Sequence, residues 1–176
     1  MSAELQIRPE RPGDADAIRH VHDAAFGGLI EGRIVDEMRG TRWWLPWGSL
    51  VASEALDGRI VGHLLMSQGT QEGTGDERWP ILVIGPVGVR PEEQGRGVGA
   101  TLMRAAIAAA GEHDESLICL VGHAGWYPRF GFEPARSIGI QPPHPWPDEN
   151  WLALRLPAWT ATLRGTARFP PAFPDG

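Results

Sequence analysis

Apolar and polar residues alternate through Leu5-Gln6-Ile7-Arg8, the period of a strand with one buried face. Pro9 and Pro12-Gly13 break that pattern, and Asp14 stands where an N-cap belongs, ahead of a helix predicted to about Phe26. Ile18, Val21, Ala25 and Phe26 give this helix its apolar stripe. A second helix is predicted from about Glu31 to Arg39, with Ile34, Val35 and Met38 inward. Residues 40–48 read as a loop, and Ser49 to Ala55 as a strand. Asp57-Gly58 is a hairpin signal between that strand and the next, Arg59 to Met66. A Gly/Thr/Glu-rich turn over 69–76 precedes a long apolar strand from about Trp79 to Val89. The pattern then gives a helix from about Val98 to Ala110, a strand from Ser116 to Val121, a helical turn near Tyr127 and a strand around Phe132. A Pro-rich loop, 141–150, leads to a last strand from Trp151 to Leu156.

Helices mixed with meandering strands predict an α/β (α+β) domain built on a mixed sheet. Residues 1–165 form the expected single domain, and the segment 166–176, with Pro170, Pro171 and Pro174, is expected to fray. At 176 residues the chain suits one full core.

Composition narrows the function classes. The net charge of −6 argues against non-specific nucleic-acid binding, which depends on Lys and Arg neutralising phosphates. The single cysteine, Cys119, excludes an intrachain disulfide and a multi-cysteine metal cluster, and its apolar neighbours predict a buried structural thiol. His20 and His22 share a helix but point apart, a poor metal pair, so no metal site is expected. The N-terminus has no apolar signal region, and no uncharged apolar run reaches the roughly 18 residues of a membrane span. A cytoplasmic protein is the expectation.

Chemistry concentrates where the long strand ends at Val89. A Pro-containing turn follows, and then Gln94-Gly95-Arg96-Gly97-Val98-Gly99-Ala100 opens directly into an apolar helix. Loop amides and the free N–H groups of a helix N-terminus converge there, and the helix dipole adds about half a positive charge, so the segment suits an anion. Glycine at 95, 97 and 99 allows close backbone approach to a diphosphate. A P-loop would require Gly-Lys-Ser/Thr, whereas the loop ends Gly99-Ala100-Thr101. A dinucleotide fingerprint would open the first strand–helix unit and carry an acidic residue on the next strand, yet Leu117 to Val121 is wholly apolar. A tight strand–helix turn with no ligand is the plain alternative.

The spacing Gln94-x-x-Gly97-x-Gly99, preceded by Val87-x-Val89-x-Pro91, resembles the coenzyme A-binding motif of the GCN5-related N-acetyltransferase (GNAT) superfamily. Trp126-Tyr127-Pro128-Arg129-Phe130-Gly131-Phe132 resembles the Tyr-x-x-x-Gly-Phe element of the same family. Together with Gly122-His123 and Ile60-Val61-Gly62-His63, it is similar to the bacterial YhbS-like branch. The resemblance covers about Leu5 to Ala135 and fades beyond Gln141.

The resemblance implies a GNAT-type fold whose central strands splay apart, and transfer of an acetyl group from acetyl-coenzyme A to an amine by direct attack in a ternary complex. Gln94, Gly95, Arg96, Gly97, Val98, Gly99 and Ala100 would hold the pyrophosphate. Val89 would bond pantetheine through its backbone, and the Val87 amide would face the thioester carbonyl. Tyr127, the only tyrosine, takes the family's thiolate-facing position. The base is open among Glu54, Glu31, His63, His123 and a water chain, with Glu54 the strand-borne carboxylate named for the role. Trp43, Trp44 and Trp47 fall in a loop that borders the acceptor pocket in this family, and Trp146 and Trp151 near its other wall; packing under long loops is the competing account. A sensor of the same fold that binds acetyl-coenzyme A without turnover is the rival function. The acceptor amine is unspecified, and a homodimer is an option because many relatives dimerise.

Overall fold

The computed structural model describes residues 4–174. Strand β1 (Leu5–Pro9) leads into helices α1 (Ala15–Phe26) and α2 (Ile30–Met38), then strands β2 (Ser49–Glu54), β3 (Ile60–Glu72) and β4 (Arg78–Val89). Helix α3 (Val98–Glu112), strands β5 (Leu117–Val121), β6 (Glu133–Pro134), β7 (Ile140–Gln141), β8 (Trp151–Arg155) and β9 (Gly165–Arg168) follow, with short 3-10 turns at Pro91–Glu93, Tyr127–Phe130 and Ala135–Ile138. The chain divides into two compact units: Met1–Met66 with Pro86–Ala109, and Ser67–Gly85 with Ala110–Gly176. The long strands β3 and β4 each run through both.

In the first unit, β1 pairs antiparallel with β2, and β2 with β3, with a register shift at Ala52/Ser53. Ile18 and Val21 of α1 and Val35 and Met38 of α2 are fully buried with Leu64, Leu102 and Met103, so both helical stripes face a core as their periodicity requires. Phe26 departs from its stripe: it is 48% exposed at the α1 terminus, next to exposed Leu29 and Ile30. Asp14 occupies the N-cap position, but no side-chain cap bond forms. Its carboxylate instead accepts from Arg8 at 2.6 Å and from the Arg11 amide at 2.7 Å, fixing the turn between β1 and α1.

In the second unit, β4 and β5 are parallel, and β5–β8 and β8–β6 are antiparallel. The sheet is therefore mixed. The β4–β5 ladder pairs Leu82 with Ile118 and Val83 with Cys119. Cys119 is buried, and burial pushes its thiol well above the ordinary range.

Three further expectations from the sequence are corrected. The turn expected over 69–76 is shorter, because β3 continues to Glu72, where the buried alternate positions Ser67, Gly69 and Gln71 extend its inward face. The strand expected around Phe132 is only Glu133–Pro134. The proline-rich end does not fray through 174: β9 pairs with β3 and with β7, and Phe169 stacks on Trp146, Trp151 and Phe173.

Candidate active site

The end of β4 and the start of α3 are joined by the glycine loop that the sequence reads as suited to an anion. Gly95 and Gly97 have φ of 75° and 84°, a left-handed backbone that side chains with Cβ rarely adopt. No heavy atom lies within 4 Å of the place a Cβ would take at either position. Conformation, not crowding, thus selects glycine in the free chain. Gly97 ends the loop and accepts the Thr101 amide at 3.0 Å. The amides of Val98, Gly99 and Ala100 belong to the first helical turn, which has no intrahelical acceptors. The loop from Gln94 to Gly97 is exposed, whereas the Val98 side chain is buried and anchors the helix.

Side chains brace this loop. Gln94 Nε2 donates to the Val89 carbonyl at 3.1 Å, tying the loop to the strand it follows. Glu93 is buried and pairs with Arg96 and, at 2.7 Å, with Arg59. Arg59 also holds Glu54 at 3.0 Å. The Glu54 carboxylate, and secondly that of Glu93, raise the Arg59 pKa above its ordinary value. Glu54 is thus committed to Arg59 in the group that fixes the loop. Val87 and Val89 are half-buried and alternate with buried Gly88.

Behind Gly88 lies a chain of polar groups that the sequence reading only partly identified. A Cβ on Gly88 would sit 2.7 Å from His22 Nδ1. His22 and His63 are both fully buried, with His22 Nε2 and His63 Nδ1 2.8 Å apart. His63 Nε2 lies 2.9 Å from Ser49 Oγ, which donates to Glu10 Oε2 at 2.6 Å. Arg39 Nε donates to Glu10 Oε1 at 2.6 Å. Glu10 and Arg39, with Arg11, Trp44 and Pro46, line a surface cavity of about 290 Å³. Burial, and secondly Arg39, lower the His22 pKa to about 4. Burial, then His22, then Arg39 hold His63 well below its ordinary value. Both rings are neutral at pH 7. The sequence marks His63 as a base candidate and His22 only as a poor metal ligand, because the contact of His22 with β3 joins positions far apart in the chain.

In the second unit, Tyr127 opens its 3-10 turn and is half-buried between Trp126 and Phe132 in edge-to-face contacts. A Cβ at Gly122 would lie 2.0 Å from Tyr127 Cε2, so only glycine lets the ring lie there. Burial raises the Tyr127 pKa, keeping its hydroxyl protonated at neutral pH. Trp151 is fully buried with its Nε1 donating to the Ile140 carbonyl, and Trp146 packs against it. These two tryptophans serve the core. Trp43 and Trp44 are half-buried, each beside an arginine, Arg42 at 4.5 Å and Arg39 at 6.0 Å from the ring centroid. His123 is exposed and Glu31 lies in the first turn of α2. Among the described residues no group of three His, Cys, Asp or Glu is arranged to hold a metal ion, and no helix is long and apolar enough to cross a membrane.

Known proteins resemble this chain in sequence and in fold. Residues 6–135 match the family model described as acetyltransferase (GNAT) domain. The chain is 37% identical over 164 residues to the uncharacterized N-acetyltransferase YjhQ of Escherichia coli strain K12, spanning 88% of this chain and 86% of that protein. The structure of a GNAT family acetyltransferase from Brucella melitensis in complex with acetyl-CoA is similar at 31% identity and a TM-score of 0.76, covering 97% of this chain and 98% of that one. The YhbS N-acetyltransferase of Escherichia coli, solved with CoA, has the same fold: TM-score 0.85, 22% identity, 98% of this chain and 93% of that one covered. A family match over most of the chain, on a fold that presents the glycine loop at a helix N-terminus, means that this chain belongs to the GNAT acetyltransferase family.

Proposed function

We propose that the protein transfers the acetyl group of acetyl-coenzyme A to an amine by direct attack in a ternary complex. The observation that carries this reading is the exposed loop in which Gly95 and Gly97 adopt positive φ immediately before the free first-turn amides of α3. Such amides, with the helix dipole, favour a diphosphate. The acetyl-CoA complex of the Brucella melitensis relative supports the same ligand here.

In this reading Gly95 through Ala100 hold the pyrophosphate by their backbone. Gln94 keeps the loop on Val89, and Arg96 adds positive charge. Val89 orders pantetheine, and the Val87 amide strengthens its bond to the carbonyl oxygen as negative charge develops there. Tyr127 donates a hydrogen bond to the departing thiolate. A thiol near pKa ~8.5 is a stronger acid than a phenol near ~10, so stabilisation without full proton transfer is its role. Glu54, held by Arg59, positions the loop. Holding amine and thioester together supplies much of the rate. A cytoplasmic site of action is part of this reading.

The test is a thermal-shift titration. Acetyl-coenzyme A raises Tm and NAD does not, and Gly97→Glu abolishes the shift. A wild-type chain indifferent to acetyl-coenzyme A sinks the proposal. Free-thiol release across an amine panel then identifies the acceptor; binding without release from any amine favours a sensor.

A further inference from the structure

Hydrogen positions along the buried chain follow from its last member. Arg39 Nε and the Ser49 hydroxyl both donate to Glu10, so the Ser49 hydroxyl has no second proton to offer His63. Ser49 Oγ then accepts from His63 Nε2–H. Neutral His63 has a bare Nδ1, which accepts from His22 Nε2–H. Neutral His22 is left with a lone pair on Nδ1. That nitrogen is buried, has no hydrogen-bond partner, and faces Gly88. A buried acceptor with no partner lowers the stability of the free chain. It faces the strand residue between the two valines that the proposed function assigns to the acetyl donor.

We propose that His22, His63, Ser49 and Glu10 form a proton relay, with His22 Nδ1 as the base for the attacking amine and Glu10, on the cavity wall, as the far end that holds the proton until it returns. The proposal rests on the acetyltransferase reading above. When the amine nitrogen bonds the thioester carbonyl carbon it gains positive charge, and its proton passes to His22 Nδ1. The Nε2 proton of His22 moves to His63 Nδ1, that of His63 Nε2 to Ser49 Oγ, and the Ser49 proton to Glu10. The C–S bond breaks with its electron pair on sulfur. Glu10 then returns its proton through Ser49 to His63 Nε2, the Nδ1 proton of His63 passes to His22 Nε2 and the Nδ1 proton of His22 goes to the thiolate, so both tautomers are restored, one proton leaves nitrogen and one reaches sulfur. The groups facing the two rings are Arg39 after α2, Glu10 at the end of β1, Ser49 on β2 and the Phe26 ring on α1, with Asp36 paired to Arg39. Burial, and after it Arg39, disfavour a resting imidazolium, so protons pass through the histidines without lodging there.

Two measurements test the relay. Glu10→Gln and Ser49→Ala keep both histidines and are expected to lower kcat about 10- to 100-fold at unchanged KM for acetyl-coenzyme A. The solvent deuterium effect on kcat should change with them. Nitrogen-15 NMR of the wild-type protein should show both histidines neutral at pH 7, each with Nε2 protonated and Nδ1 bare. The reverse tautomer at either ring, or Glu10→Gln turning over at the wild-type rate, overturns the relay and leaves the acetyltransferase reading standing. A wild-type chain that binds acetyl-coenzyme A yet acetylates no amine removes both.

Discussion

Tyr127 and Gly122 act as one feature. The phenol ring rests where any side chain at 122 would have to stand, and its raised pKa keeps the donor hydrogen in place. Tyr127→Phe should preserve the acetyl-coenzyme A thermal shift and lower kcat about tenfold, the loss of one hydrogen bond made mainly in the transition state. Gly122→Ala should produce the same kinetic defect by displacing the ring, with about 1–3 kcal/mol of lost stability in urea unfolding. Full activity in both variants would remove Tyr127 from the mechanism. Gly88 is the counterpart in the first unit. Gly88→Ala pushes a methyl to within 2.7 Å of His22 Nδ1 and should slow transfer more than it weakens cofactor binding.

At the scale of elements, the turn between β4 and α3 is held by charge as well as by glycine. Arg59, on the hairpin between β2 and β3, reaches both Glu54 and buried Glu93. Arg59→Ala leaves Glu93 buried with Arg96 as its remaining partner, and the loop should loosen. A several-fold rise in KM for acetyl-coenzyme A with kcat little changed is the expected result, read from initial rates. The C-terminal strand tests a different bond between elements. Phe169 follows β9 and packs on Trp146 and Trp151, so Phe169→Ala should cost about 2–4 kcal/mol in chemical unfolding. A negligible cost would mean that β9 is an ornament on β3. Proline content suggested fraying there, because the contacts that order the segment come from β3, β7 and two distant tryptophans.

Across the whole molecule the buried histidines make stability depend on pH. The folded-state pKa of His22 lies at about 4 against an ordinary 6.5. Between those values the unfolded chain binds a proton that the folded chain refuses. Stability is therefore intact above about pH 6.5 and declines as pH falls toward 4, by about 3 kcal/mol for this group. His63 acts in the same direction. Tm measured from pH 7 to 4.5 should fall, and the His22→Asn variant should flatten the decline; a wild-type Tm insensitive to this range would contradict the burial of the pair.

What the amino-acid sequence determined by itself is the set of elements with a strong local cause. The stripes of α1 and α2, the Asp57-Gly58 hairpin, the apolar run of β5 and the glycine loop before α3 are properties of neighbouring residues. Period, turn conformation and helix-end chemistry act over a few positions and can be read directly. The limits of β3, the pairing of β9, the capture of Glu54 by Arg59 and the meeting of His22 with His63 were decided by tertiary structure alone. Each depends on which surfaces come together, and a polar side chain such as His22 carries no local mark of the partner that burial will give it.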